Sequence, residues 1–255
     1  MKFALLAARK VGLDVAAFLG RSGERPACLV LDAADEDGLN GKISEALGMP
    51  ANDAHVIGKG DNDRLAAILS GYQLELGICA WWPHLLSNKA IAAARLGFLN
   101  LHPSLLPYNR GKNPNFWSIV EETPAGVTIH WLDDGVDSGA IAFQSGLETT
   151  WEDTGGSLYD KAQKAIVDLF VKHWPQIRAG TVPRAAQDDD RATAHRASEM
   201  DAISRIELGR SYHARDLLNL MRARTFPPYP AVRFEDGGRE FEIRVEIKER
   251  PREQR

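Results

Sequence analysis

The feature that most constrains the fold is a regular alternation of short apolar runs and amphipathic segments over the first 145 residues. The run "LELGICAWW", residues 74–82, is almost continuously apolar, which is typical of a strand buried on both faces. Between such runs lie segments such as "DNDRLAAILSGY", with apolar residues at helical spacing behind an aspartate able to cap a helix. Strands that alternate with helices predict an α/β fold, an open and mostly parallel twisted sheet flanked by helices.

The same patterns predict the individual elements of this Rossmann-like core. The predicted strands are "KFALLAA", "ACLVLDA", "AHVIGKG", "LELGICAWW", "FLNLH", "AGVTIHWLDD" and "GAIAFQSGLE", of which the last two could pair as a hairpin. The predicted helices cover residues 11–20, 37–49, 61–72, 87–97 and 150–180. The polar segment after them, up to about residue 199, is predicted to be a loop.

The sequence changes character near residue 201. "ARDLLNLMRARTF" predicts a helix that "PPYP" ends, and "AVRFEDGGREFEIRVEIKE" predicts a β-hairpin around its "EDGG" turn. We therefore expect a large domain over residues 1–200 and a small C-terminal α+β subdomain, a helix plus a β-hairpin, over residues 201–255.

Composition narrows the class of protein. A net charge of −4 argues against wholesale nucleic-acid binding, and no apolar run approaches the ~20 residues of a membrane span. Cys28 and Cys79 sit in apolar runs, which favours reduced core thiols over a disulfide or a metal pair. We expect a cytoplasmic protein that binds neither nucleic acid nor membrane.

The stretch "NLHPSLLPYNRGKNP", residues 100–114, carries the first candidate site. Asn100 and His102 alternate on one strand and so project to the same side, and Pro103 ends the regular pairing. Ligands usually bind at the carboxyl ends of strands in such sheets. An asparagine amide can stabilise an oxyanion, and a histidine can donate to it or accept a proton. From these residues alone, a hydrogen-bonded polar corner is an equal alternative.

A second stretch, "TIHWLDDGVDSGAI", places His130 on a strand and three aspartates in a Gly-flanked loop, Asp133, Asp134 and Asp137. The alternative is that these aspartates are solvated loop residues with no role in a site, which is a sufficient explanation for Asp133 taken alone. The spacing lacks the calcium-loop pattern and no Cys/His cluster supports zinc, so no metal is expected. A carboxylate that met His102 in the fold would orient its imidazole.

"NLHPSLLP" followed about 30 residues later by "HWLDDGVDSG" resembles the folate-dependent formyltransferase family. The resemblance is strong over about residues 75–160, and it implies a catalytic triad of Asn100, His102 and Asp137. It also implies 10-formyltetrahydrofolate as the formyl donor. The implied folate pocket consists of Trp82, Pro83, His84, Leu85, Leu86, Asp133, Asp134, Gly135 and Val136.

Within the family, the chain looks most similar to nucleotide-sugar N-formyltransferases, both in "HPSLLPYNRGKNPNFWSI" and in its tail. Arg110 and Lys112 suit a phosphate, and the asparagines beside them suit sugar hydroxyls, although a solvated loop is the alternative. Phe226 and the helix arginines could reach a base or phosphate, but packing and a solvated helix face explain them as well. The candidate substrate-binding residues are Lys10, Asn109, Arg110, Lys112, Asn113, Trp117, Arg224 and Phe226.

Other members of the family fit less well. Residues 201–255 hold 12 Lys plus Arg against 10 Asp plus Glu, which offers little attraction for tRNA. The stretch "LLAARKVGLDV" has only Gly12 and no G-x-G, which disfavours a nucleotide monophosphate held there by main-chain amides. An exposed Lys10 at the helix start is a plainer interpretation than a phosphate ligand.

We therefore expect transfer of a formyl group to the amine of a dTDP- or GDP-linked amino-deoxy sugar, as cell-surface polysaccharide (O-antigen) biosynthesis requires. The alternatives are glycinamide ribonucleotide formyltransferase and formyltetrahydrofolate hydrolase. The C-terminal hairpin offers a pairing edge for a homodimer, with a solvated hairpin as the alternative.

Overall fold

The structure, a computed structural model, describes residues 1–250 and resolves into two compact units of contacting residues. Unit 1 comprises residues 1–102, 127–145 and 163–188, and unit 2 comprises residues 103–126, 146–162 and 189–250 of the described chain. The sequence analysis predicted two continuous domains, residues 1–200 and 201–255, whereas each unit combines several separate segments of the chain. The predicted division stays a prediction, and residues 251–255 of the predicted second domain lie outside the described part.

The helices and strands run in the following order. They are β1 (Phe3–Ala7), α1 (Arg9–Arg21), β2 (Cys28–Asp32), α2 (Asn40–Ala46), β3 (His55–Ile57), α3 (Asn62–Ser70), β4 (Leu76–Ala80), α4 (Asn88–Ile91), β5 (Phe98–His102), β6 (Arg110–Gly111), α5 (Pro114–Val120), β7 (Gly126–Trp131), β8 (Ile141–Gly146), α6 (Gly155–Ala179), β9 (Ala194–His195), α7 (Ala197–Ile203), β10 (Arg205–Ile206), α8 (Ala214–Arg224), β11 (Val232–Asp236) and β12 (Arg239–Ile243). Short 3₁₀ turns cover Ala51–Asp53 and Asp189–Arg191.

Unit 1 is built on a seven-stranded sheet in the order β3-β2-β1-β4-β5-β7-β8. The first five strands in this order are parallel, and β7 pairs with β5 in the antiparallel sense. Strands β1, β2 and β4 are buried along their whole length, which explains their nearly continuous apolar sequences. The predicted Rossmann-like α/β fold is confirmed.

Both cysteines lie in the core of unit 1. Cys28 and Cys79 are about 1% exposed, and burial raises the pKa of the Cys28 thiol to about 12 and that of Cys79 further still. A thiol in such surroundings stays protonated and unreactive, as the sequence predicted for reduced core residues.

Unit 2 contains two small sheets, β10-β11-β12 and β6-β9, and helices α5, α7 and α8. The predicted C-terminal hairpin is present, since β11 and β12 pair antiparallel across Gly237 and Gly238. Both glycines have positive φ, 55° and 74°, the conformation that a tight two-residue hairpin turn requires. Helices α5 and α8 pack around Phe116, Trp117, Leu158 and Ala223.

Three predicted elements differ from the structure. The helix predicted over residues 87–97 covers only Asn88–Ile91, because Arg95 and Leu96 donate their main-chain N–H groups to Leu74 and Glu75. Asp61 lies at the N-terminus of α3 but accepts from the Gly58 N–H (3.4 Å) and makes no cap bond. The loop predicted before residue 199 contains β9, whose pairing with β6 is a long-range contact without a local signal.

Among residues 1–250, no helix is long and apolar enough to cross a membrane.

Candidate active site

The candidate site lies in unit 1, where β5 pairs with β7. In this antiparallel register Asn100 stands opposite His130, and His102 stands opposite Thr128. Opposed residues share a face of the sheet, and residues two apart on a strand do so too. The pairing therefore brings four polar side chains onto one face, three of them almost fully buried: His102 is 5% exposed, and Thr128 and His130 are 0% exposed.

Asn100 and His130 are directly hydrogen-bonded. The Asn100 Nδ2 and His130 Nε2 atoms lie 3.1 Å apart, and His130 Nδ1 lies 2.9 Å from the main-chain oxygen of Trp131. Since a carbonyl oxygen only accepts, Nδ1 carries the imidazole proton and Nε2 accepts from the Asn100 amide. This bond fixes the Asn100 amide with its nitrogen toward the ring and leaves its second N–H to point elsewhere.

Asp137 completes the cluster. Its Oδ1 lies 3.5 Å from His102 Nδ1 and 3.5 Å from His130 Nε2, and its side chain is 15% exposed. The imidazole rings of His102 and His130 meet edge to face, with centroids 5.9 Å apart. The structure thus brings together Asn100, His102 and Asp137, the three residues that the sequence analysis combined, and a carboxylate does face His102.

The loop that carries Asp137 is held in a strained conformation. Asp137 has φ of 51°, in the left-handed region that costs a non-glycine residue of order 1 kcal/mol. Gln187 spans this turn, because its Nε2 donates to the main-chain oxygens of Asp137 (2.8 Å) and Gly139 (2.7 Å). Gly139 itself is required, since a Cβ there would lie 1.9 Å from the Trp131 oxygen.

The predicted site residues did not include His130 and Gln187, which hold Asn100 and Asp137 in place. His130 was noted only as a strand residue, although its position opposite Asn100 follows once the strands are placed antiparallel. Gln187 sits fifty residues beyond the loop that it braces, in a polar segment that carries no local sign of this role.

His102, His130 and Asp137 are also the one group of three in the described chain whose ligand atoms could hold a metal ion, all within 4.8 Å of one another. Two histidines and a carboxylate are a familiar ligand set for transition metals. Within this group, however, His130 Nε2 already accepts from Asn100, so a bound ion would break that bond. The expectation of a metal-free site stays a prediction.

The first predicted folate segment, residues 82–86, follows β4. Trp82 is 9% exposed and packs into the core of unit 1, with Leu86 against the same cluster. His84 Nε2 lies 2.8 Å from Oδ1 of Asp32, a buried carboxylate at the carboxyl end of β2. Leu85, at 70% exposed, is left at the tip of a loop anchored on both sides.

The second predicted folate segment, residues 133–136, is an exposed turn. Asp133 Oδ1 accepts from the Gly135 main-chain N–H (3.1 Å) and from the Ser138 hydroxyl (2.9 Å). Asp133 therefore shapes the turn, whereas Asp134 and Val136 are exposed. The role of both segments in folate binding stays a prediction.

Of the predicted substrate-binding residues in unit 2, most are anchored. Asn109 is 1% exposed and bonds Thr123 and Thr193, and the Arg110 guanidinium pairs with Asp189 at 2.7 Å. Lys112 is exposed, and Asn113 takes positive φ as the N-cap of α5. Trp117 is 6% exposed and stacks on His195.

The remaining three differ in exposure. Arg224 is 7% exposed and pairs with Asp201 (2.7 Å), and burial lowers the pKa of its guanidinium while Asp201 opposes that shift. Phe226 packs against Tyr159 and Tyr229, as the packing alternative predicted. Lys10, in unit 1, is exposed and pairs with Asp14 (2.7 Å) on the first turns of α1.

The family follows from comparison with known proteins. A family model described as formyl transferase matches residues 31–173, more than half of the chain, and the chain belongs to this family. A second model, described as the N-formyltransferase dimerization C-terminal domain, matches residues 199–249.

Particular relatives give the closer likenesses. The chain is 35% identical over 167 residues to the methionyl-tRNA formyltransferase of Lactobacillus johnsonii, a match over 65% of this chain and 52% of that protein, so the chain spans about half the length of that curated relative. A sugar N-formyltransferase from Shewanella superposes with TM-score 0.80 and 19% identity over 98% of this chain and 100% of its own. The Helicobacter canadensis N-formyltransferase, in complex with folinic acid and dTDP-3-aminofucose, superposes with TM-score 0.68 and 16% identity, covering 93% of this chain and 85% of its own.

Proposed function

We propose that the protein is an N-formyltransferase that moves the formyl group of 10-formyltetrahydrofolate to the amine of a nucleotide-linked amino-deoxy sugar. The observation that carries this proposal is the cluster of Asn100, His102 and Asp137 at the end of β5, with His130 behind it. It combines an amide donor, an imidazole and a carboxylate, the groups that acyl transfer to an amine requires.

The reaction begins when the neutral amine of the acceptor attacks the formyl carbon. The carbonyl electrons move to the oxygen, and the resulting oxyanion accepts hydrogen bonds from the second N–H of Asn100 and from His102. His130 holds the Asn100 amide with the nitrogen on the correct side, because Nε2 of His130 accepts the first N–H.

Collapse of the tetrahedral intermediate breaks the bond to N10 of the folate. The attacking nitrogen loses a proton and N10 gains one as tetrahydrofolate leaves, so there is no net gain or loss of protons. The reaction needs no covalent enzyme intermediate. His102 moves these protons, and Asp137, 3.5 Å from its Nδ1, stabilises the imidazolium that forms on the way. No step requires a metal ion.

Residues 82–86 and 133–136 are proposed to bind the pterin of the donor, largely through main-chain groups. The anchoring of the first segment by Trp82 and His84 supports this role, because a rigid loop loses little conformational entropy on binding. Folinic acid in the Helicobacter canadensis relative is consistent with a folate donor.

A nucleotide-linked sugar is favoured as the acceptor by the closer structural superposition on a sugar N-formyltransferase. The structure of the Shewanella sugar N-formyltransferase superposes with TM-score 0.80 over 98% of this chain, whereas that of a methionyl-tRNA formyltransferase from Clostridium thermocellum does so with TM-score 0.65 over 97%. The balance of 12 basic to 10 acidic residues from residue 201 onward also gives tRNA little electrostatic attraction. Exposed Lys112 is proposed to pair with the diphosphate, and Arg110 to do so only on release from Asp189.

We further propose a homodimer formed through unit 2. The C-terminal match to a dimerization domain supports it, as does the position of β12 as the outer strand of its sheet within the described residues. Phe241 on β12 is 42% exposed, an uncommon place for a large apolar side chain on an outer strand. A Phe241→Glu variant that kept the mass of the wild type in light scattering would contradict this surface.

The function is tested by following tetrahydrofolate release from 10-formyltetrahydrofolate with a panel of dTDP-, GDP- and UDP-linked amino sugars. Glycinamide ribonucleotide, methionyl-tRNA and water alone are the competing arms of the same assay. We expect turnover with an amino sugar and a loss of about 10²- to 10³-fold in kcat for Asn100→Ala. Activity on glycinamide ribonucleotide or methionyl-tRNA alone would overturn the acceptor, and folded Asn100→Ala, His102→Ala and Asp137→Ala proteins with wild-type rates would overturn the site.

A further inference from the structure

His195 occupies an unusual position in unit 2. Its imidazole stacks flat on the Trp117 indole, with ring centroids 3.8 Å apart and an interplanar angle of 8°. Nε2 lies 3.2 Å from Glu121 Oε1, and Nδ1 lies 3.3 Å from Glu199 Oε2. Each ring nitrogen thus faces its own carboxylate, and the side chain is only 10% exposed.

The two carboxylates hold the ring in different ways. Glu199 is hydrogen-bonded to Nδ1, whereas Nε2 makes no hydrogen bond to any described residue and meets Glu121 as a charge contact. Together with the stacked indole of Trp117 they restrict the ring to one orientation. The charged groups at the ring are Glu121, at the end of α5, and Glu199, in the first turn of α7, and both are acidic.

The main chain at His195 holds the loop of residues 109–113. The His195 carbonyl oxygen accepts from the Lys112 N–H (3.0 Å), and the neighbouring Thr193 oxygen accepts from the Arg110 N–H (2.8 Å). Between these bonds lies Gly111, with φ of 88°, where a Cβ would lie 2.4 Å from the His195 oxygen. The conformation of this loop therefore depends on where His195 lies.

We propose that His195, held between Glu121 and Glu199 and stacked on Trp117, is a positioning residue that fixes the loop of residues 109–113 and so sets the KM for the acceptor. This inference rests on the proposed function, in which the loop binds the nucleotide sugar. The His195 side chain links α5 to α7, and its main chain pairs with β6. The position of the ring therefore sets the position of β6.

The first test is steady-state kinetics on His195→Phe, which keeps a ring on Trp117 but removes the hydrogen bond to Glu199 and the charge contact with Glu121. We expect the KM for the amino sugar to rise about tenfold, with kcat at saturating acceptor and the KM for the folate donor within about twofold of wild type. The matched control is His173→Phe. His173 stacks in the same way on Phe143 (3.9 Å, 12°), but its Nδ1 bonds the neutral side chain of Gln176 instead of a carboxylate. Its KM values should not change.

Glu121→Gln and Glu199→Gln provide variants with smaller changes, in case His195→Phe does not fold. Each substitution keeps the size of the side chain but removes one negative charge beside the ring, and each should raise the same KM in the same direction. Equal rises in both KM values, or an unchanged acceptor KM, would overturn the proposal.

Amide hydrogen exchange separates this inference from the proposed function, since it needs no substrate. The Lys112 and Arg110 amides should exchange faster in His195→Phe than in wild type, and those of β1 and β4 should not change. If wild type turns over no amino sugar, the acceptor proposal fails. If amide exchange in residues 109–113 is the same in both proteins, His195 does not position this loop and the inference is wrong.

Discussion

Gln187 donates its side-chain amide to the main-chain oxygen of Asp137 over 2.8 Å, although the two residues are fifty positions apart in the chain. The same nitrogen donates to Gly139, so one side chain bridges both sides of the turn that presents the catalytic candidate. Asp137 sits there at positive φ, a conformation that persists only when its surroundings impose it. The aim of the carboxylate toward His102 therefore depends on Gln187.

Replacing Gln187 by Ala should lower kcat without unfolding the protein. Removal of both bonds lets the turn relax and moves Asp137 away from His102. Because Gln187 acts only through Asp137, we expect kcat to fall about 10- to 100-fold. The measurement is single-turnover formyl transfer, with circular dichroism as the check on folding. Gln176→Ala, which removes an amide that bonds His173 on α6, is the matched control and should keep full activity. Equal rates in the two variants would contradict the role.

Replacing Asp32 by Asn should weaken folate binding selectively. His84 then loses the carboxylate 2.8 Å from its Nε2, and the segment of residues 82–86 loses one of its anchors. We expect the KM for 10-formyltetrahydrofolate to rise about five- to tenfold with kcat little changed. Asp14→Asn breaks only the exposed pair with Lys10, which is worth little, and should leave both constants as they are. A fall in kcat at unchanged KM would argue against an anchoring role.

Zinc should inhibit the enzyme, and chelation should not. The His102, His130 and Asp137 ligand atoms lie close enough to capture a transition metal, and capture would break the bond between His130 and Asn100. We expect full activity after dialysis against EDTA, reversible inhibition by added Zn²⁺, and weaker inhibition of residual activity in Asp137→Asn. Loss of activity on EDTA treatment, restored by a divalent metal, would show that the metal-free mechanism is wrong.

Asp153 should make stability depend on pH in the acidic range. This carboxyl is 4% exposed, and burial alone would raise its pKa, but Lys161, the Thr150 N–H and Ser157 hydrogen-bond to it and the net pKa is lowered below 3.8. Because the unfolded state then binds a proton more readily than the folded state, the stabilisation is present above pH 3.8 and is lost as pH falls through the folded pKa.

The measurement for this carboxyl is urea unfolding of wild type and Asp153→Asn at a series of pH values. At neutral pH the variant should be less stable by about 1–3 kcal/mol, since Lys161 loses its partner and the buried donors are less well satisfied. The difference in the free energy of unfolding between the two proteins should shrink as pH falls below 3.8, the pKa of an unperturbed aspartate. A difference that stayed constant with pH would mean that packing, and not charge, makes Asp153 important.

Much of the fold could be predicted because its signals are local. The strand "FLNLH" was predicted at the residues that β5 occupies, and "LELGICAWW" contains β4, since burial on both faces leaves a continuous apolar run. The two-residue strands β6 and β9 were missed, because so short a pairing leaves no periodicity in either segment. The helix after Ser87 was predicted too long for a similar reason, as distant main-chain partners compete for its N–H groups.

The sequence by itself determined the α/β class, the placing of Asn100 and His102 on one face of a strand end, and the acidic loop that supplies Asp137. These follow from strand alternation and from two motifs, each read within a dozen residues. Only the tertiary structure decided that His130 holds Asn100, that Gln187 braces Asp137, and that His195 lies between two glutamates. Those contacts join segments that become neighbours through strand pairing and packing, and no local pattern records which side chains will meet there.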